Sequence, residues 1–236
     1  MPTLDDATKR LALALDVPNL SAAQRLIQQT QASVGTFKVG LELYTAHGPS
    51  SVQMVQEAGR RCFLDLKLHD IPATMARAVA RARELGVDYL TVHAAAGKAA
   101  LRAAQEAAGP VRLLAVTVLT SLDDDALAEL GMLGSSAESA ERLARLAWEA
   151  GIHGFVSSPH ECAELKRALG PEAIVVTPGV RPGGIAEGDQ KRVASPAQAI
   201  ANGSDMLVLG RPVRDAAEPE KAARDIALEV QAALSQ

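Results

Sequence analysis

The chain has 236 residues, of which 48% are hydrophobic and only 3% aromatic, and its formal net charge is −4. This composition excludes an intrinsically disordered chain, and the slight acidity leaves no basic footprint for nucleic acid or for an anionic membrane surface. We therefore expect a globular protein whose partner is a small molecule, with no nucleic acid and no membrane.

Short apolar runs alternate with longer segments of helical period along the whole chain. The apolar runs predict strands at 11–16, 36–40, 62–67, 89–93, 113–119, 154–157, 174–177 and 206–209. Helical periods cover about 20–32, 49–58, 73–85, 97–107, 137–150, 159–168, 195–201 and 212–234. Eight strand–helix repeats predict an α/β fold, a (β/α)8 TIM barrel, formed by residues 1–236 as a single catalytic domain. An open doubly wound sheet, which usually has fewer strands, is the alternative.

Neither a secretory signal nor a membrane span is visible in the sequence. Residues 1–6 are acidic and lack a basic region followed by an apolar run, and no apolar stretch approaches the roughly 20 residues needed to cross a bilayer. We therefore expect a cytoplasmic protein.

Cys62 and Cys162 stand in apolar surroundings without the spacing of metal ligands, and they are predicted to be buried free thiols.

The third predicted strand carries charges in an otherwise apolar run. Because alternate side chains of a strand share a face, Asp65 and Lys67 are predicted to point one way, and Leu64, Leu66 and Leu68 the other. Burial of an unpaired charge is strongly unfavourable, so the acid and the base must pair with each other, with neighbours or with a ligand. Residues 65–74 are therefore the predicted centre of the chemistry.

Other charges stand at the ends of neighbouring strands. Asp16 ends the first predicted strand, Lys38 lies near the end of the second, and Asp70 follows the third. Because the active site of an α/β barrel forms at the carboxyl ends of its strands, these residues should meet Asp65 and Lys67 in one network of alternating charge. Taken singly, a strand-end Asp such as Asp16 is more often a helix cap or turn residue. The alternatives are a solvated edge for Lys38 and a structural ion pair for Asp65 and Lys67.

Two histidines stand close to this network in the sequence. His69 lies within residues 65–74, and His93 ends the fourth predicted strand. Imidazole titrates near neutral pH, so either histidine is a candidate proton carrier. A histidine beside an apolar strand is more commonly a packing or hydrogen-bonding residue, and we interpret both as structural.

The later strands end in residues suited to a planar ligand and to a phosphate. Thr120 follows the fifth predicted strand, where its hydroxyl either caps the next segment or bonds a ligand edge. A long loop rich in Gly and Pro, with Pro178 and Arg181, follows the seventh, and Gly210-Arg211 follows the eighth. Loops after strands 7 and 8 are the usual phosphate site of such barrels, and arginine contacts phosphate bidentately. A flexible loop with solvated arginines is the alternative.

Four segments carry the motifs of a known family. They are DxKxxDIPxT at 65–74, TPGVRP at 177–182, DQKR at 189–192 and GRP at 210–212. With Asp16 and Lys38, and in this order, they resemble the orotidine 5′-phosphate decarboxylase family in its short bacterial form, over essentially the whole chain. The resemblance implies a carboxy-lyase that converts orotidine 5′-monophosphate to UMP and carbon dioxide, the last step of de novo UMP biosynthesis, without a metal or other cofactor.

The resemblance also implies roles for individual residues. Lys67 stabilises a carbanion at C6 of the pyrimidine and protonates it, and Lys38, Asp65 and Asp70 complete the catalytic array, with Asp70 coming from a partner subunit. The implied substrate-binding residues are Asp16, Lys38, Ile71, Thr74, Thr120, Pro178, Arg181, Gln190, Gly210 and Arg211. Since Ile71 and Thr74 complete the neighbouring site, the resemblance implies a homodimer with shared active sites.

Two other functions stay open at this point. Relatives that share DxKxxD bind magnesium and act on sugar phosphates by enediolate chemistry; in them a carboxylate takes the place of Lys38, so this lysine argues against a divalent cation. A non-catalytic barrel that binds a phosphate ligand is the other alternative. The alternation of Asp and Lys speaks against it, because a mere binder has little use for a desolvated lysine flanked by two acids.

Overall fold

The fold is a closed barrel of eight parallel strands in a computed structural model that describes residues 1–183 and 194–235. The strands follow one another around the barrel in chain order. They are β1 Leu11–Ala14, β2 Thr36–Val39, β3 Arg61–Leu68, β4 Tyr89–His93, β5 Arg112–Val116, β6 Gly154–Val156, β7 Ile174–Thr177 and β8 Met206–Leu209. Pairing of β1 with β8 closes the ring, which confirms the predicted (β/α)8 barrel and rules out the open sheet. The predicted first and fifth strands extended too far: β1 ends at Ala14, so Asp16 lies in a loop, and β5 ends at Val116.

Helices connect the strands on the outside of the barrel. They are α1 Leu4–Thr8, α2 Leu20–Thr30, α3 Leu41–His47, α4 Pro49–Glu57, α5 Pro72–Glu84, α6 Lys98–Ala108, α7 Asp124–Glu129, α8 Ser136–Glu149, α9 Cys162–Leu169, α10 Pro196–Ala201, α11 Arg211–Arg214 and α12 Pro219–Leu234. Side chains cap several of them; Ser135, for example, forms a capping box with Glu138 at the start of α8.

The sequence prediction differed from these helices in two respects. The short helices α1, α3 and α7 were not predicted, because segments of five to seven residues show little periodicity. The last predicted helix, 212–234, is two helices. The chain turns after Arg214, and Pro219 begins α12 at a position where its missing N–H costs nothing.

Alternate strand residues build two apolar layers. On β1, Leu11 and Leu13 pack with the helices in the outer layer, whereas Ala12 packs with Phe63 inside the barrel. Burial of one such leucine contributes roughly 1.5–3 kcal/mol, and truncation of Phe63 to alanine should cost about 3–5 kcal/mol. The inner layer is filled by Ala12, Phe63, Tyr89, Leu114, Val176 and Met206, so side chains pack the interior of the barrel.

Both cysteines are buried free thiols, as predicted. Burial raises the pKa of the Cys62 thiol to about 12 and that of Cys162 to about 11, so neither is a reactive thiolate near neutral pH.

Among the described residues, no helix combines the length and the apolarity needed to span a bilayer.

Candidate active site

A cavity of about 470 Å³ opens at the carboxyl ends of the strands. Residues of six strands line it, on β1, β2, β3, β5, β6 and β8, together with loop residues such as Asp16, Thr120 and Pro178, so the walls come from most of the barrel. Nine of the predicted site residues lie in its lining: Asp16, Lys38, Asp65, Lys67, Thr120, Pro178, Arg181, Gly210 and Arg211. The position agrees with the active-site face of this architecture.

Asp65 and Lys67 meet at the floor of the cavity. Lys67 Nζ lies 2.9 Å from Asp65 Oδ1 and 3.0 Å from Oδ2, so the ammonium donates to both carboxylate oxygens. The strand around them is not regular, contrary to the prediction. Lys67 has φ = 49°, and the pairing of β3 with β4 shifts register between Leu64 and Leu68. The leucines nevertheless face the outer layer, as predicted.

Lys38 joins the first and third strands electrostatically. Its Nζ lies 3.3 Å from Asp16 Oδ1 and 3.3 Å from Asp65 Oδ2, and its side chain is only 10% exposed. Gly40 leaves room for this arrangement, since a Cβ there would lie 2.8 Å from Asp16 Oδ1 and 3.0 Å from Lys38 Nζ. The predicted alternation of Asp16, Lys38, Asp65 and Lys67 is therefore one continuous chain of ion pairs.

Burial and pairing act in opposite directions on these charges. Burial alone lowers the pKa of Lys38, but Asp65 and Asp16 outweigh it, and the pKa lies above its usual value. For Asp65, burial raises the pKa, but Lys38 and Lys67 outweigh it, and the pKa of this carboxyl lies below its usual range. Both groups are consequently charged at neutral pH, and the desolvated charges are stable because each has opposite neighbours.

One wall of the cavity is largely apolar and carries a few hydroxyls. Val116, Val118 and Val156 contribute apolar surface, and Thr120 and Ser157 contribute hydroxyls. Ser157 was not singled out from the sequence; its Oγ donates to the buried carboxylate of Glu161. A hydrophobic slot with a few fixed polar groups suits a planar, partly polar ring.

The part of the cavity formed by the loops after β7 and β8 is positively charged. Pro178 and Arg181 come from the loop after β7, and Gly210 and Arg211 come from the end of β8 and the start of α11. Arg214 also lines this side and was missed by the sequence reasoning. Its Nη1 donates to the carbonyl of Asp16 at 3.1 Å, and Nε and Nη2 donate to Asp215 at 2.6 and 2.8 Å, so it links α11 to the loop after β1. Gln190 lies outside the described residues.

Three predicted site residues do not line the cavity of the single chain. Asp70 and Ile71 are exposed at the start of α5, with Ile71 67% exposed, and Thr74 is half-buried on the first turn of that helix. The Ile71 N–H donates to Asp70 Oδ1 at 2.7 Å, which gives this carboxylate a defined direction. An exposed isoleucine beside an exposed acid, close in sequence to Lys67, is therefore available to a second molecule.

The two histidines near the network contact each other. The rings of His69 and His93 lie with centroids 5.6 Å apart, and neither residue lines the cavity. Burial, and then the proximity of His69 and Lys67, lower the pKa of His93, with Asp65 opposing them. This placement agrees with the structural interpretation of both histidines.

The described residues contain no group of three or more His, Cys, Asp or Glu side chains placed to hold a metal ion. The carboxylates of Asp16 and Asp65 are bridged by the ammonium of Lys38. A primary ammonium thus lies where a divalent cation between these carboxylates would have to bind.

Comparison with protein families finds a match over residues 9–226 to the model of the "Orotidine 5′-phosphate decarboxylase / HUMPS family". Curated proteins with the name orotidine 5′-phosphate decarboxylase are similar over almost their whole length. The protein from Anaeromyxobacter dehalogenans is 52% identical over 221 residues, which cover 93% of this chain and 97% of that protein. The protein from Moorella thermoacetica is 49% identical, with 95% of this chain and 93% of that protein covered.

Solved structures are similar as well. The crystal structure of orotidine 5′-phosphate decarboxylase from Lactobacillus acidophilus has a TM-score of 0.83 and 33% identity, and covers 93% of this chain and 98% of that chain. An uncharacterized conserved protein from Geobacillus kaustophilus has a TM-score of 0.80 and 34% identity, with 93% and 99% covered.

Proposed function

The chain belongs to the orotidine 5′-phosphate decarboxylase / HUMPS family, and we infer that it is a carboxy-lyase that converts orotidine 5′-monophosphate to UMP and carbon dioxide in pyrimidine biosynthesis. The observation that carries this function is the ammonium of Lys67, held by Asp65 at the floor of a cavity whose other end has arginines. One end suits the reacting carbon, and the other suits the phosphate.

Lys67 acts on the pyrimidine C6. Cleavage of the bond between C6 and the carboxylate carbon leaves the electron pair on C6, and carbon dioxide departs. The fixed ammonium stabilises this carbanion more than it stabilises the substrate, and it needs no solvent reorganisation at the moment of reaction. It then donates a proton to C6, which gives UMP and a neutral amine that regains its proton from water.

Asp65 keeps Lys67 aimed at this position and faces the substrate carboxylate. Two negative groups in one desolvated site repel each other, and departure of carbon dioxide relieves that repulsion. Lys38 shares Asp65 with Lys67 and extends the network to Asp16, whose exposed carboxylate edge suits a ribose hydroxyl. Thr120, which lines the same cavity, bonds the edge of the base.

The phosphate supplies binding energy remote from the reacting carbon. Arg181 and Arg211 make charge-assisted contacts to its oxygens, and Gly210 allows close backbone approach. Gln190 is the fourth proposed phosphate residue. Energy from these contacts offsets the unfavourable placement of the substrate carboxylate beside Asp65.

The active unit is proposed to be a homodimer with shared sites. Asp70, Ile71 and Thr74 of one chain would enter the site of the other, which explains why an acid and an isoleucine are exposed so close in sequence to Lys67. We further propose that residues 1–236 form one barrel domain, that the enzyme works in the cytoplasm, and that it needs no metal or cofactor, since Lys38 occupies the place between Asp16 and Asp65.

A spectrophotometric assay tests this function. Purified protein is exhaustively treated with EDTA, and the fall in orotidine monophosphate absorbance is followed with and without added Mg²⁺. We expect equal turnover in both samples. Turnover that returns only with Mg²⁺ contradicts the metal-free reaction, and UMP binding without turnover in either sample favours a phosphate-binding barrel.

A further inference from the structure

The left-handed backbone of Lys67 needs an explanation. Lys67 is the one residue other than glycine with a positive φ in the described ranges 1–183 and 194–235. An L side chain rarely adopts this conformation, because Cβ crowds the following carbonyl, and such residues persist only where their surroundings hold them. Something must therefore hold this residue in place.

The register shift between β3 and β4 interrupts the backbone hydrogen bonds that would ordinarily hold Lys67 in place. Leu64 pairs with Leu90 and Leu68 pairs with Val92, so three residues of β3 lie opposite Thr91 alone. Within that stretch the Lys67 N–H donates to the side chain of Thr91, at 2.8 Å from Oγ1, instead of to a strand carbonyl. The side-chain oxygen of Thr91 therefore accepts the hydrogen bond that a backbone carbonyl would accept in a regular strand pair.

The same hydroxyl also holds the carboxylate. Thr91 Oγ1 donates to Asp65 Oδ1 at 2.9 Å, and the residue is only 1% exposed. A hydroxyl has one proton. Because Thr91 donates that proton to Asp65, the lone pairs of its oxygen are left to accept the hydrogen bond from the Lys67 N–H. One buried atom thereby sets both the backbone of the lysine and the orientation of the carboxylate that binds its ammonium.

We propose that Thr91 is a positioning residue for decarboxylation, whose hydroxyl holds Lys67 in its left-handed conformation and orients Asp65 toward the Lys67 ammonium. The proposal rests on the proposed function of this cavity. Thr91 itself lies on β4 and does not line the cavity, so it would act through Lys67 and Asp65. The alternative is a buried threonine that merely fills space, for which the methyl group matters and the hydroxyl does not.

Two substitutions separate these readings. T91V keeps the shape and removes the hydroxyl, whereas T91S keeps the hydroxyl and removes the methyl group. T36V is the matched control, because Thr36 is a fully buried strand residue whose Oγ1 has no hydrogen-bond partner among the described residues. Each variant is assayed for kcat, KM and UMP affinity, and the exchange rate of the Lys67 amide proton is measured by NMR.

T91V should lose roughly 10- to 100-fold in kcat, as expected for a slightly misplaced catalytic group, with UMP affinity within about threefold of wild type. Its Lys67 amide should exchange faster, because its acceptor is gone. T91S and T36V should stay close to wild type in all four measurements.

Wild-type kcat in T91V, or a loss in T91S as large as in T91V, overturns the proposal. If T91V does not fold, T91A and T91S are compared, since they differ only in the hydroxyl. Equal kcat in these two variants would also overturn the proposal. Failure of the proposed function is a separate result, seen as absence of turnover in the wild type. In that case unchanged Lys67 amide exchange in T91V still counts against the role of Thr91, and faster exchange still supports its hold on Lys67.

Discussion

Lys67 and Asp65 form a two-point ion pair across a single intervening residue, with the ammonium 2.9 Å from one carboxylate oxygen and 3.0 Å from the other. Asp65 also lies 3.3 Å from Lys38. One buried carboxylate therefore serves two ammonium groups, of which only the Lys67 side chain is substantially open to the cavity, at 30% exposure against 10%.

Replacement of Lys67 by alanine should abolish most turnover and leave the fold intact. The loss should be about 1,000-fold or more, because both the fixed positive charge and the proton donor disappear. Asp65 keeps Lys38 as its partner, so the buried acid is not left unpaired. UMP binding, measured by calorimetry, should survive. K98A is a suitable control, since Lys98 forms an exposed ion pair with Glu149; K67A activity equal to that of K98A would refute the assigned role.

Mixing of two inactive variants tests the shared site. K67A and D70N should each be inactive as homodimers, whereas their mixed dimer has one site with both Lys67 and the Asp70 of the partner intact. Random 1:1 mixing should therefore restore roughly a quarter of wild-type activity, by the two-fold symmetry of the dimer.

A mixture of D70N with the K67A/D70N double variant serves as the control, because neither of its sites is complete. Mixed dimers verified by mass spectrometry that stay inactive in the first mixture would contradict shared sites.

Replacement of Arg211 by alanine should weaken nucleotide binding through the phosphate alone. Loss of a charge-assisted contact costs about 1.5–3 kcal/mol, or roughly 10- to 100-fold in the Kd of UMP. Uridine, which has no phosphate, should bind R211A and wild type equally. R145A, which removes a surface arginine paired with Glu141, is the control. An equal loss for uridine and UMP would place Arg211 away from the phosphate.

Stability should depend on pH through His93. Its pKa in the folded chain is below 6.5, because burial and then His69 and Lys67 disfavour the imidazolium. The unfolded chain takes up the proton first as pH falls, so the stabilisation is complete above about pH 6.5 and is lost as pH drops below it toward the folded-state pKa. Urea unfolding at pH 8 and 5.5, at one protein concentration, should show a larger loss for wild type than for H93Q.

H160Q is the control for this experiment, because it removes an exposed imidazole. It should follow the wild-type curve. Parallel curves for wild type and H93Q would show that His93 does not contribute.

Much of the site was predictable because barrel topology converts sequence order into spatial order. Asp16 follows β1, Lys38 is the next-to-last residue of β2, and Asp65 lies in the carboxyl half of β3; consecutive parallel strands place such residues side by side at one rim. The alternation of leucines with charges on β3 predicted which side chains face the helices. Thr91 was not predictable, since a threonine within an apolar strand has no pattern that distinguishes it from its neighbours.

The sequence by itself determined the eight-fold repeat, the apolar layers and the set of charges at the rim, because these follow from periodicity and from the cost of burying unpaired charge. Tertiary structure alone decided the left-handed turn at Lys67, the hydroxyl of Thr91 that holds it, and the tie from Arg214 to Asp16. These depend on contacts between residues 24 and 198 positions apart, and on a register shift that no local pattern encodes. Residues 65–74 therefore indicate the chemistry from the sequence alone, whereas contacts with other strands and loops determine how Asp65 and Lys67 are positioned.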